Sequence, residues 1–249
     1  SGNHAQAVAY AAKLNNINAT IVMPKTAPLV KIDNTKKYGA KVILYDPLSE
    51  IRENIAKKIS DKEGKIIIKP YDDQDIIAGQ GTAGKEIAAE LEKNKIKPDI
   101  YLCCCGGGGL IAGTSTYLRH KFPNIQNFSV EPEKYNDTQI SLKKGKITPL
   151  IDKPYSICDA LLANEPGKLT FSINEKILTK GLVVSDHEVK KTIIELSETL
   201  KIISEPGGAV AAAALLSQKI KIKNKVIVVM ISGGNIDNKI FSKISKDDK

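Results

Sequence analysis

Residues 101–113 read YLCCCGGGGLIAG: an apolar run, four consecutive glycines, then an apolar helix former. Glycine weakens the interior of both helices and strands, so four in a row mark a boundary between elements. The run before them has strand character, and the stretch after them, LIAGTSTYLRHKF, reads as a helix. At such a junction, glycines remove Cβ atoms and let backbone N–H groups converge at the positive end of the helix dipole. That geometry suits a phosphate. A tight turn alone would ask for only one or two glycines.

The rest of the chain repeats this strand-then-helix grammar. Candidate strands are ATIVMP (19–24), KVILY (41–45), KIIIK (65–69), DIYLCC (99–104), NFSVE (127–131), LVVS (182–185) and KVIVVMIS (225–232). Helical stretches such as DIIAGQGTAGKEIAAELEK and DHEVKKTIIELSETLKI lie between them. In the second, Val189, Ile193, Leu196 and Leu200 recur at helical spacing and predict one buried face. The pattern predicts an α/β fold of open, mostly parallel sheets flanked by helices. No internal repeat or low-complexity linker divides the chain, so a second domain must be woven into the first. In such sheets ligands gather at the carboxyl ends of the strands.

Composition narrows the function classes. The 249 residues carry a formal charge of +9, but lysine is spread evenly and aromatics make up 5%, so no basic stripe interleaved with stacking rings points to nucleic acid. No run approaches the roughly 18 apolar residues of a membrane helix, and no basic-then-apolar leader opens the chain, so a cytoplasmic protein is expected. Cys103, Cys104 and Cys105 alternate faces on a strand while Cys158 stands alone, and His4, His120 and His187 lack zinc-site spacing. The cysteines read as small buried side chains near a backbone site.

Two phosphate readings of the glycines compete. Gly107, Gly109 and Ala112 fit the dinucleotide spacing, and Glu131 ends the next strand about 20 residues on, where a ribose-binding acid would sit. A nicotinamide dehydrogenase is therefore a rival, although it leaves the fourth glycine and two further motifs unexplained. One is SGNHAQAVAYAAKL at residues 1–14, a turn feeding an alanine-rich helix that offers N–H groups and the side chains of Ser1, Asn3 and His4 to a carboxylate. The other is VIVVMISGGNIDN, where a strand ends in Ser232, Gly233, Gly234 and Asn235 and presents a hydroxyl to a ring nitrogen. Just before it, SEPGGAVAAAALL opens a tightly packed helix at Glu205 and Pro206.

In this order, SGNHAQAVAYAA, YDDQDIIAGQGTAG, GGGGLIAG, VEPEKYND, SEPGGAVAAAALL and SGGNID resemble the fold-type II pyridoxal-phosphate enzymes. The branch is that of threonine/serine dehydratases, with serine racemase and 3-hydroxyaspartate ammonia-lyase as close relatives. The resemblance runs from Ser1 to about Phe241 and implies a tryptophan-synthase-β-like architecture. It implies that Gly106, Gly107, Gly108 and Gly109 cradle the cofactor phosphate, that Asn3 bonds the ring hydroxyl and Ser232 the ring nitrogen, and that Glu205 belongs to the cofactor-binding set. The turn of Ser1, Gly2, Asn3 and His4 would take the substrate carboxylate, with Ser1 as an acid/base candidate. VEPEKYND resembles the relatives' divalent-metal site, with carboxylates from Glu131 and Asp137 and a carbonyl from Tyr135, an all-oxygen set suited to magnesium or calcium.

One departure stands out. The family's Schiff-base lysine has a Ser-Phe-Lys-like setting upstream of the Ser-Gly-Asn-His motif, and no lysine here has it, so an N-terminally truncated, inactive fragment is expected. The resemblance implies β-elimination of water from threonine or serine, giving a 2-oxo acid and ammonia. Serine racemase or 3-hydroxyaspartate ammonia-lyase activity is the alternative on the same scaffold. Residues 1–70 would form a small domain closing over an amino-acid substrate, residues 71–249 the larger cofactor domain, and the enzyme would be a homodimer.

Overall fold

The computed structural model describes residues 2–152 and 155–247, and two compact units emerge. The first runs from the N-terminus to Lys69 and includes Asn235–Ser242. Its elements are α1 (Gly2–Leu14), β1 (Thr20–Pro24), α2 (Leu29–Lys37), β2 (Lys41–Tyr45) and α3 (Arg52–Glu63). β1 and β2 pair in parallel, Val22 opposite Ile43, and a small core of Ala5, Met23 and Ile32 sits against Ile21, Ala27 and Val42. No residue of α3 is fully buried. A core this thin places the unit at the low end of local stability.

The second unit spans Pro70–Gly234 and takes in the chain from Lys243. It contains α4 (Gln74–Lys93), β3 (Ile100–Cys104), α5 (Gly109–Lys121), β4 (Gln126–Pro132), α6 (Asp137–Lys144), a 3₁₀ turn (Asp159–Leu161) and α7 (Lys168–Ile177). β5 (Leu178–Val184), α8 (Asp186–Leu200), α9 (Pro206–Leu216) and β6 (Ile227–Val229) complete it, and α10 (Asn238–Asp247) ends the described chain. The sheet order is β5-β4-β3-β6, all parallel. β3, one of the two inner strands, is buried at every position, as a strand covered on both faces should be.

Local signals set the helix boundaries. Asp73 caps α4 by accepting from the N–H groups of Asp75 (2.9 Å) and Ile76 (3.2 Å). Ser185 and Glu188 form a capping box at α8. α9 is buried from Pro206 to Ala214, because its small side chains let its backbone lie close to the sheet. Among the described residues no helix is long and apolar enough to cross a membrane.

Three sequence expectations change. KIIIK at 65–69 forms no strand: nothing pairs with it among the described residues, and Ile66, Ile67 and Ile68 are exposed. KVIVVMIS contracts to the three residues of β6. Leu200 leaves the predicted stripe of α8 and is exposed, since it is the last helical residue before the left-handed Lys201. Val189, Ile193 and Leu196 are buried as the spacing predicts.

Candidate active site

The strand β3 ends at Cys104, and Cys105 still donates to the Val130 carbonyl (2.9 Å), so the chain leaves the sheet at Gly106. Gly108 has φ +91°, the left-handed region where a Cβ is strained. At Gly107 a Cβ would run into the Tyr71 ring, so a side chain there displaces a neighbour. The space the glycines vacate is thus filled by the chain itself: Tyr71 on one side, Thr170 and Asn174 on the other.

What the packing achieves is orientation. The Gly107 carbonyl accepts from the Thr170 hydroxyl (2.7 Å) and the Gly167 N–H (3.3 Å), and the Gly108 carbonyl accepts from the Asn174 amide (3.2 Å). Thr170 and Asn174 are buried on α7, whose start is held by Asp72 through the N–H groups of Leu169 (2.8 Å) and Thr170 (3.3 Å). A planar trans peptide points its N–H away from its C=O, so fixing these carbonyls on the α7 side turns the N–H groups of Gly108 and Gly109 the other way. Among the described residues, the N–H groups of Gly106, Gly107 and Gly108 donate to nothing. These three unpaired donors leading into α5, Gly108 buried and Gly106 and Gly107 half-buried, fit an anion of phosphate type.

Beside this loop, Met230 donates to the Leu102 carbonyl (2.9 Å), which brings Ser232 next to β3. The exposed Ser232 hydroxyl accepts the buried Cys104 thiol at 3.1 Å. The Gly233 carbonyl accepts from the Glu205 N–H (3.0 Å) and the Ser204 hydroxyl (3.2 Å), so the loop is fastened to the start of α9. Glu205 occupies the N-cap of that helix and is buried. All four cysteines are free and buried. Burial pushes the Cys103 thiol well up, whereas the hydrogen bond from Cys103 pulls Cys104 down against the effect of its own burial.

In the first unit, Gly2, Asn3 and His4 form the first turn of α1, where N–H groups have no helical partner; Ser1 lies outside the described residues. The Asn3 side-chain oxygen accepts the Asn235 amide at 2.9 Å. His4 contacts the Ile68 carbonyl through Nε2 (3.3 Å), and burial lowers its pKa although that bond raises it. Sequence reasoning missed Lys31. It is fully buried on α2, and its stem lies where a Gly2 side chain would be.

At the end of β4, Glu131 accepts from the N–H groups of Thr138 (2.8 Å) and Gln139 (2.7 Å), capping α6. Asp137 is buried beside it, and neither of its carboxylate oxygens has a hydrogen-bond partner. Burial, then the Glu165 charge, raises Asp137 to about 7, while burial and Asp137 push Glu131 well up. Tyr135 is buried in the same turn. No cluster of three or more His, Cys, Asp or Glu side chains able to hold a metal occurs among the described residues.

A βα loop of unpaired N–H groups thus lies beside a strand-end hydroxyl. Residues 1–233 match the family model of the pyridoxal-phosphate dependent enzymes, and the chain belongs to that family. It is 44% identical over 237 residues to serine racemase of Schizosaccharomyces pombe, covering 95% of this chain and 72% of that one. It is 39% identical over 242 residues to L-threo-3-hydroxyaspartate ammonia-lyase of Saccharomyces cerevisiae, covering 97% and 73%. The crystal structure of the T.th. threonine deaminase superposes with a TM-score of 0.85 at 34% identity, covering 95% and 75%. The dehydrogenase reading falls away, because the family is another.

Proposed function

We propose that this chain is the greater part of a pyridoxal-phosphate dependent ammonia-lyase that eliminates water from threonine or serine, giving a 2-oxo acid and ammonia. The observation that carries the reading is the trio of unpaired N–H groups at Gly106–Gly108, whose neighbouring carbonyls are held by α7. Gly106, Gly107, Gly108 and Gly109 would hold the phosphate, Ser232 the ring nitrogen and Asn3 the ring hydroxyl, with Glu205 supporting the Ser232 loop. When bound, the cofactor supplies an electron sink next to the substrate's α-carbon. A serine at the ring nitrogen, unlike an aspartate, does not force its protonation, so less charge is drawn into the ring and elimination is favoured. Gly2, Asn3 and His4, with Ser1, would bind the substrate carboxylate, the N–H groups of the first turn of α1 supplying the donors. We assign Ser1 the acid/base position on one face of the α-carbon.

No lysine among residues 1–249 has the Ser-Phe-Lys-like setting that the resemblance requires, and these residues alone are proposed to bind cofactor without turning substrate over. Residues 1–70 would be the mobile substrate-side domain, residues 71–249 the cofactor domain, and the enzyme a cytoplasmic homodimer. Magnesium or calcium would sit on Asp137, Glu131 and the Tyr135 carbonyl; the unpaired Asp137 carboxylate supports this. A second reading, serine racemase or 3-hydroxyaspartate ammonia-lyase, is favoured by the 44% and 39% identities. Full-length protein given threonine, serine and 3-hydroxyaspartate decides: keto acid from threonine or serine supports the dehydratase, and inverted serine or turnover of hydroxyaspartate alone replaces it.

A further inference from the structure

The sequence pattern makes Cys104 one of three small fillers, but its contact gives it a direction. A serine hydroxyl has one proton and two lone-pair sites. The Cys104 thiol, at the end of β3, points at Ser232 Oγ from the buried side at 3.1 Å, while Ser232 is exposed on its other side. With a donor occupying the inward lone pair, the hydroxyl proton turns outward. If the sulfur were the acceptor instead, Ser232 would present only lone pairs outward and would suit a protonated ring nitrogen. The sense of this one hydrogen bond therefore selects which form of an aromatic nitrogen the serine can recognise. Valine or alanine would fill the position without a donor.

We infer that Cys104 is a positioning residue: its thiol donates to Ser232 and commits the serine's proton to an unprotonated aromatic ring nitrogen. The inference rests on the ring-nitrogen role proposed for Ser232. Cys104 touches no substrate itself; it acts through the serine, from a place where the strand end and the Ser232 loop are each fixed by backbone bonds.

The test uses full-length protein with Cys104→Val, Cys104→Ala, Cys104→Ser and Ser232→Ala. Dissociation of pyridoxal phosphate, its visible absorption and the Tm of the cofactor-free protein are measured for each. Loss of one such hydrogen bond corresponds to about 0.5–1.5 kcal/mol, so the valine and alanine variants are expected to bind the cofactor roughly 2–10-fold more weakly with a shifted visible band. Cys104→Ser keeps a donor and is expected to restore both. If Cys104→Ser behaves like Cys104→Val, the thiol is packing and the inference fails. If the cysteine variants match the parent while Ser232→Ala does not, the inference fails and the serine's role stands. If Ser232→Ala is also unchanged, the ring-nitrogen reading itself is wrong. The ¹⁵N chemical shift of ring-labelled pyridoxal phosphate on the unsubstituted protein needs no variant to fold: an unprotonated, hydrogen-bonded nitrogen is expected, and a protonated one overturns the inference.

Discussion

The neighbouring strands β3 and β4 run parallel in register, Cys104 opposite Val130, yet their carboxyl ends present opposite chemistry. After β3 the unpaired groups are N–H donors; after β4 they are carboxylate oxygens, on Asp137. Both loops lead into a helix start, where the dipole favours negative charge. The β4 loop brings its own acceptor, the Glu131 carboxyl, to the two N–H groups of α6. The β3 loop brings none and keeps its donors open. Position at a strand end therefore does not choose the ligand. What chooses it is whether the chain satisfies its own helix start.

This contrast can be broken from either side. The largest effect is expected from Gly107→Leu, which drives a side chain into Tyr71 and should abolish cofactor retention in full-length protein, as read by visible absorption. It should leave any stabilisation by magnesium unaltered, because that depends on the other loop. Next, Thr170→Val leaves the Gly107 carbonyl with only the longer bond from the Gly167 N–H while nearly keeping side-chain shape; loss of one such hydrogen bond costs about 0.5–1.5 kcal/mol, so pyridoxal phosphate should dissociate roughly 2–10-fold more readily. Unchanged affinity in a cofactor titration would show that α7 does not orient the loop.

The smallest effect concerns the carboxylates. Asp137 is raised from 3.8 to about 7, so between those values the folded state holds more protons than the unfolded one. Its contribution is complete below pH 3.8 and is lost as pH rises through about 7. Metal-free Asp137→Asn should therefore show a higher Tm than the parent at pH 8 and little difference at pH 4. Magnesium or calcium should raise the parent's Tm at pH 8 more than at pH 5, and should not act on the variant. Equal responses would remove the metal assignment.

The sequence shows the parts of the site that are local. Four glycines after an apolar strand mark the β3–α5 junction. The partners that give the site its orientation are distant: Thr170 lies 63 residues from Gly107 and Asn174 lies 66 from Gly108, with no periodicity to announce either. Asn235 meets Asn3 across 232 residues. Lys31 reads in the sequence as one more surface lysine in a lysine-rich chain, and only the packing of α2 against α1 reveals it as buried. Conversely, the three isoleucines of KIIIK have every local property of a strand except a partner, and pairing is not a local property.

The most direct test of the central claim is the amide ¹H–¹⁵N spectrum of Gly106, Gly107 and Gly108 as pyridoxal phosphate is added. Capture of the phosphate by these donors predicts large downfield proton shifts at the three glycines, saturating with cofactor occupancy and absent with pyridoxal lacking the phosphate. Stoichiometric binding that leaves these three amides unmoved would contradict it.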